Sequence, residues 1–349
     1  MNIRSKILYL NSVLIGNFSC VTGLSLLTKE MKASMRAAFA PGTFQNLKTQ
    51  WNSYIAFCIF FKLDCFSQDP SVLCLYIQLL SRSMKAQGTI DNYLSGAKTL
   101  YRLSGVSTQV FDAIELKLTR KGIARNNPHM AFRAHPVTPD MLFKLFDILN
   151  LDEPSEAVFW ALFLIAFFTM SRKSNLVFTE STVKSPPRMI LRKHVSVLGD
   201  GLLLNFIWSK TNQFGNRTHL VPLVAIPGSP LCPVAAYRNM VKLVPASATA
   251  PLFVLKAKNN KLVPVTYFQF QTFFRSLLPM IGLNPAFYSS HSFRRGGATW
   301  AFKNNVPGEL IKNHGDWASS AYMLYLDLSL EKKFQVSEAM VSAILPAFR

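Results

Sequence analysis

His291, Arg294, Arg295, His314, Trp317, Tyr322 and Tyr325 crowd four chemically capable side-chain types into the last part of the chain. Each type can act on a phosphate. The Arg294 guanidinium is a planar fork of donors that matches two phosphate oxygens. His291 can move a proton near neutral pH. The Trp317 indole N–H is a donor only, and a tyrosine hydroxyl can serve as a nucleophile. Two further cations stand upstream. Arg172 follows a long apolar run in Thr169-Met170-Ser171-Arg172-Lys173-Ser174-Asn175-Leu176, and Lys210 lies in Trp208-Ser209-Lys210-Thr211-Asn212-Gln213. Taken singly, Arg172 and Lys173 read as solvated cations favoured by a helix dipole, and Lys210 as a solvated loop lysine. Arg217 and His219 stand close to Lys210 in sequence and make a backbone-contacting hairpin plausible.

The elements that must position these groups belong to a well-packed, strongly basic chain. Half of its 349 residues are hydrophobic, and 38 Lys and Arg against 18 Asp and Glu leave a net charge of +20. That suffices for one large or two ordinary domains with real cores. Positive charge spread along the chain points to a polyanion, nucleic acid first and a membrane surface second. Five cysteines without a C-x-x-C spacing argue against a disulfide framework or a zinc site, and fit a reducing compartment. The longest apolar run, 158 to 170, is shorter than the roughly 20 residues a bilayer requires, so it reads as a buried helix. Residues 1 to 35 carry little pattern. Arg4 and Lys6 before Ile7-Leu8-Tyr9-Leu10 loosely imitate a signal peptide, but Asn11 and Ser12 interrupt it. A poorly ordered leader or an N-terminal helix is the preferred reading.

From Thr43 the periodicity is helical, with Phe44, Leu47, Trp51, Ile55 and Cys58 on one face. Asp69-Pro70 starts a second helix by cap and proline. A third begins near Thr89, with Lys98 and Arg102 on its polar face. A fourth holds Phe111, Ile114, Leu116 and Leu118 and ends in Arg120-Lys121-Gly122. These make a helical domain over 36–125. The stretch from Arg125 to Pro136, with Arg133 in it, breaks the pattern and reads as a basic linker, bounded at 126–137. A second domain, 138–349, opens with helices at 138 to 149 and 155 to 169. Strands at 195 to 197, 202 to 208 and 219 to 223, punctuated by Gly199-Asp200-Gly201 and Gly215-Asn216, predict a small antiparallel sheet. Pro233 and Thr266 start further helices. The second carries Phe268, Phe270, Phe273, Phe274 and Leu277, an aromatic stripe read as core. An amphipathic helix over 332 to 347 closes the chain. The fold class is therefore mainly α with a small antiparallel sheet. Gly296-Gly297 alone is too weak to mark a nucleotide site.

In this order the motifs resemble the tyrosine recombinase (phage-integrase) family: Arg172 after a buried helix, Lys210 in a hairpin, His291-x-x-Arg294, a glycine followed by Trp317, and a tyrosine soon after. The Ser-Lys-Thr-Asn-Gln hairpin and Gly-Asp-Trp-Ala-Ser-Ser-Ala-Tyr look most like eukaryotic recombinases of DIRS-type or Crypton-type mobile elements. The helical domain is similar to the family's SAM-like core-binding domain. The resemblance implies an enzyme that cuts and rejoins DNA, with Tyr325 attacking the scissile phosphate to give a 3′-phosphotyrosine. Arg172 and Arg294 would stabilise the phosphorane charge, Lys210 would protonate the leaving 5′-oxygen, and His291 would handle the tyrosine proton. No metal, ATP or other cofactor is implied. Double-stranded DNA is the implied partner, held by Lys98, Arg102, Arg125, Arg133, Lys173, Arg217 and Arg295. A homotetramer joined through the C-terminal helix is implied, no membrane, and a nuclear location in a eukaryotic host.

The sequence departs from the family pattern at the sixth catalytic position. Counting back from Tyr325 reaches Asp316, whose charge would be repelled by a phosphate. The role therefore passes to its neighbour Trp317, with His314 as an outside candidate. Tyr322 competes with Tyr325 as nucleophile, and Tyr325-Leu326 fits the family's tyrosine-plus-apolar pattern better. Two other functions share these residues: a domesticated DNA-binding protein without the chemistry, and a type IB topoisomerase-like enzyme.

Overall fold

Prolines that can sit in a first turn open five helices, at Pro41, Pro70, Pro139, Pro154 and Pro233. The side chains before four of them, all but Ala40, act as caps: Asp69 accepts from the Ser71 N–H and Thr138 from the Met141 N–H. The computed structural model describes residues 20–129, 133–179, 189–213 and 217–325, with Phe334, Glu338 and Val341 beyond them. The chain divides into two compact units, Met1–Ala131 and Phe132–Arg349.

The first unit holds α1 (Cys20–Ala37), α2 (Pro41–Phe61), α3 (Pro70–Ser83), α4 (Gln87–Leu103) and α5 (Ile114–Asn126). Its core joins Tyr54 and Phe57 of α2, Leu73, Tyr76 and Ile77 of α3, Ala97 and Tyr101 of α4, and Leu116 and Ile123 of α5. Buried tyrosine hydroxyls need partners. Tyr54 and Tyr101 share one hydrogen bond at 3.1 Å, and Tyr76 donates to Ser53 Oγ.

The helix α1 takes up the second of the two alternatives for the N-terminal stretch, a helix, from Cys20 on. Two readings change here. The fourth helix is two pieces, a 3₁₀ turn over Gln109–Asp112 and then α5, because Ala113 takes an extended conformation between them. Arg125 lies in the last turn of α5 rather than in the linker; the helix runs to Asn126 and stops where Pro128 forbids helical backbone before it.

In the second unit α6 (Pro139–Ile148) and α7 (Pro154–Phe168) precede the sheet. Residues from Ala157 to Phe167 of α7 are buried on every side, so α7 is the axis of this unit's core. At 15 residues it is a core helix, and no described helix is long and apolar enough to cross a membrane. The strands β1 (Val195–Leu198), β2 (Gly201–Phe206) and β3 (His219–Leu223) form an antiparallel meander. Gly199 opens the β1–β2 turn with φ +56°, a conformation that excludes most side chains at the first central position. The strand β2 stops at Phe206, two residues early, and the connection 207–218 carries Lys210.

After α8 (Pro233–Leu243) comes a second hairpin, β4 (Val254–Lys256) and β5 (Leu262–Pro264), that the sequence pattern does not reveal. Three-residue strands are too short to show alternation; the Asn259-Asn260 pair between them is the one local turn signal, and Asn260 takes φ +59° there. Next come α9 (Tyr267–Leu277), α10 (His291–Lys303) and α11 (Gly308–His314). The capping box of Thr266 and Gln269 starts α9. Phe270 and Phe274 are core, as expected, but Phe268 is 75 % exposed and lies off the stripe. The expected C-terminal helix lies almost wholly outside the described residues.

The packed face of α10 consists of Phe293, Gly296 and Gly297, residues spaced to share one side of a helix; Phe293 and Gly297 meet α7, and Gly296 meets Val137 ahead of α6. Phe293 stacks on Phe163 at 5.1 Å between ring centroids. A Cβ at Gly296 would stand 2.0 Å from the Val137 carbonyl oxygen, and one at Gly297 2.1 Å from that of Phe167. Both obstacles are backbone, so the glycine pair serves close helix approach. Gly297→Ala is expected to lower stability by about 1–3 kcal/mol through overpacking. Urea unfolding midpoints check this, and an unchanged midpoint would refute the close-approach role.

Candidate active site

Packing α10 so close to the end of α7 brings Arg294 to the segment that carries Arg172. Thr169 ends α7, with its hydroxyl donating to Ile165 O at 2.6 Å. Met170 then takes φ +50°, which swings the chain out of the helix and aims the Met170 carbonyl at α10. Arg172 stands at the start of the single helical turn Lys173–Leu176.

Arg294 is 1 % exposed. Its Nη1 donates to Met170 O and, at 2.7 Å, to Gly315 O. The Trp317 ring lies 3.6 Å from its guanidinium carbon, a cation–π contact. Trp317 itself is buried, so its ring face serves Arg294. Gly315 makes this fold-back possible, because a Cβ there would run into the Trp317 ring.

Asp316 lies between these two residues and gathers the other half of the site. Arg172 Nη1 meets its Oδ2 at 3.3 Å, and Arg172 Nη2 donates to its main-chain oxygen at 3.2 Å. Thr211 and Arg217 also donate to its carboxylate. Burial works to raise the Asp316 pKa, but hydrogen bonds from Ser209 and Thr211 and the Arg217 charge prevail and hold it below the ordinary value. Lys210 is exposed at the tip of the tight turn closed by the Ser209–Asn212 bridge, and Thr211, its neighbour, tethers that turn to Asp316. These contacts turn the Asp316 carboxylate toward protein donors. A lone carboxylate beside a glycine and a tryptophan in so basic a chain was the signal.

His291 is the first residue of α10 and reaches solvent. Partial burial, followed by the charges of Arg294, Arg172, Lys173 and Arg295, pushes its pKa down to about 4. The imidazole is therefore neutral at pH 7 and able to accept a proton. Between about 4 and 6.5 an unfolded chain binds a proton that the folded protein refuses, so stability falls as pH drops through that window. The unfolding temperature of wild type is expected to drop more from pH 6.5 to 4 than that of His291→Gln. Parallel curves would contradict the depressed pKa.

The remaining sequence candidates separate. Tyr322 and Tyr325 share the 3₁₀ segment Ser320–Tyr325. Tyr322 is 5 % exposed and packs with Met170, Ala298, Ile311 and Trp317. The side chain of Tyr325 lies outside the described residues. His314 is committed elsewhere, its Nε2 2.8 Å from Phe168 O. Of the expected DNA-contacting cations, Arg217 joins the site. Lys173 lies over the Tyr267 ring at 3.3 Å, Arg295 donates to Ala134 O, and Arg133 reaches Leu324 O. In the first unit Lys98 pairs with Asp112 at 3.3 Å, while Arg102 and Arg125 are exposed.

No protein-family model and no curated protein matches this sequence. Solved structures do match. The XerH site-specific recombinase bound to its difH substrate is similar at a TM-score of 0.51 and 14 % identity, over 77 % of this chain and 70 % of that one. The Tn1549 transposon integrase in complex with transposon right end DNA is similar at a TM-score of 0.54 and 12 % identity, over 93 % and 95 %. The fold is that of the tyrosine recombinases. Within the tyrosine-recombinase fold, this chain gathers Arg172, Arg294 and the lysine-bearing turn around the Gly315–Trp317 tripeptide, with His291 one helical turn before Arg294.

Proposed function

We propose that this protein is a DNA strand-transferring tyrosine recombinase. The observation that carries the reading is the meeting of Arg172, of His291 and Arg294 on α10, and of the Lys210 turn, from three separate segments, in one place on this fold. Tyr325 Oη attacks the scissile phosphorus and the bond to the 5′-oxygen breaks. The tyrosine proton passes to neutral His291, and Lys210 protonates the departing oxygen. The phosphodiester energy is retained in the tyrosyl ester, so rejoining requires no ATP. Arg172, partly exposed, takes the first non-bridging oxygen. Arg294, held by Gly315 O and the Trp317 ring, takes the second, and both stabilise the phosphorane.

The resemblance to DIRS-type and Crypton-type enzymes and a tetramer joined by the C-terminal helix belong to the same proposal. So does the DNA-backbone role of Lys98, Arg102 and Arg125. Trapping on a nicked suicide duplex tests the chemistry: wild type is expected to form a denaturant-resistant covalent adduct without added metal. Binding without an adduct on any cognate site would reduce the protein to a DNA-binding module. Affinity for duplex DNA is expected to fall with salt along a log–log line, about 0.9 in slope per phosphate neutralised. A flat line would remove DNA as the partner.

A further inference from the structure

We infer that Asp316 is a positioning residue that holds Arg172 and the Lys210 turn in place for the phosphate, acting through them rather than on the DNA. The catalytic part of this inference rests on the recombinase reading; the positioning part stands on geometry alone.

Asp316 adopts φ +58°, a left-handed conformation uncommon outside glycine though better tolerated by Asp and Asn. In that conformation its carboxylate and its own carbonyl both accept from Arg172. An arginine has five N–H donors in a rigid fork. Two go to Asp316, which fixes the plane of the guanidinium and leaves three for another acceptor. The Arg172 side chain is 21 % exposed and that of Asp316 6 %. The carboxylate is thus the buried partner and the guanidinium the outer one. A phosphate arriving from solvent meets Arg172 without displacing Asp316.

The same carboxylate accepts from Thr211 and Arg217, on the connection that carries Lys210. A buried carboxylate is costly unless paired, and here two arginines and a threonine pair it. The three charges sum to +1, so the cluster still attracts an anion. The flanking residues complete the arrangement, since Gly315 O and the Trp317 ring hold Arg294. Asp316 is therefore the link between the arginine half of the site and the lysine half.

The test compares wild type with Asp316→Asn, which keeps the shape, the tolerance of a left-handed backbone and an acceptor for Thr211, but loses the charge. In ¹⁵N spectra of arginine side chains, with Arg172 assigned through Arg172→Lys, rotation about its Nε–Cζ bond is expected to be hindered in wild type and fast in the variant. On the suicide duplex at saturating DNA, adduct formation should slow about 10–100-fold, the usual cost of losing a partner one shell out. DNA affinity should stay equal or rise, since the net charge increases. Asp316→Glu should recover part of the rate. Equal Arg172 mobility in both proteins, or a variant that cleaves as fast as wild type or faster, overturns the inference. Wild type that forms no adduct while Asp316→Asn frees Arg172 sinks the recombinase reading and leaves the positioning role standing.

Discussion

Tyr325→Phe is expected to abolish the covalent protein–DNA adduct, while Tyr322→Phe keeps it. A phenyl ring has no oxygen to form the ester, so the loss should be complete rather than graded. The environment of Tyr322 argues against it as the nucleophile. The Tyr322 ring is enclosed by Met170, Ala298, Ile311 and Trp317, and a Cβ on Gly308 would lie 2.6 Å from its hydroxyl. A residue packed in that way serves as core, and removing its hydroxyl should change stability by no more than about 1 kcal/mol. Denaturing gels of both variants on the nicked duplex, with DNA-binding curves for each, make the comparison. An adduct formed by Tyr325→Phe but not by Tyr322→Phe would reverse the assignment.

Arg294→Lys is expected to cut the cleavage rate at saturating DNA by about 10²–10³-fold, the range for losing one donor to developing charge. Lysine retains the charge but not the planar fork. It cannot lie flat on Trp317 while donating to both Met170 O and Gly315 O. The fold should suffer as well, because a buried carbonyl that loses its donor costs about 1–3 kcal/mol. Arg294→Ala leaves both carbonyls unsatisfied and should be the less stable variant. Single-turnover rates and urea midpoints together check the order. A lysine variant with wild-type rate would mean that Arg294 is only a structural tie between α10 and its neighbours.

These expectations rest on residues of unequal legibility in the sequence. Helix starts were easy to read, because a cap and a first-turn proline are local devices whose partners lie within a few residues; Asp69-Pro70 and Thr138-Pro139 are examples. The Gly199 turn was legible for the same reason. The break at Ala113, the exposed Phe268 and the short β4–β5 hairpin were not, since each depends on what packs against a segment rather than on its own pattern. Gly296-Gly297 was visible as a pair but not as a contact: the carbonyls it admits belong to Val137 and Phe167, far away in sequence.

The types and order of Arg172, Lys210, His291, Arg294 and a terminal tyrosine, and a basic, mainly helical chain able to carry them, were determined by the sequence alone. Side-chain chemistry and periodicity are properties of the residues themselves. Only the tertiary structure decided what Gly315, Asp316 and Trp317 do. Read along the chain, Asp316 is an anion where a phosphate would be repelled. In the fold it is a buried acceptor shared by Arg172, Thr211 and Arg217, between a carbonyl and a ring that hold Arg294. A charge repels or organises according to which neighbours surround it and how far water is excluded, and both are set by packing between segments distant in sequence.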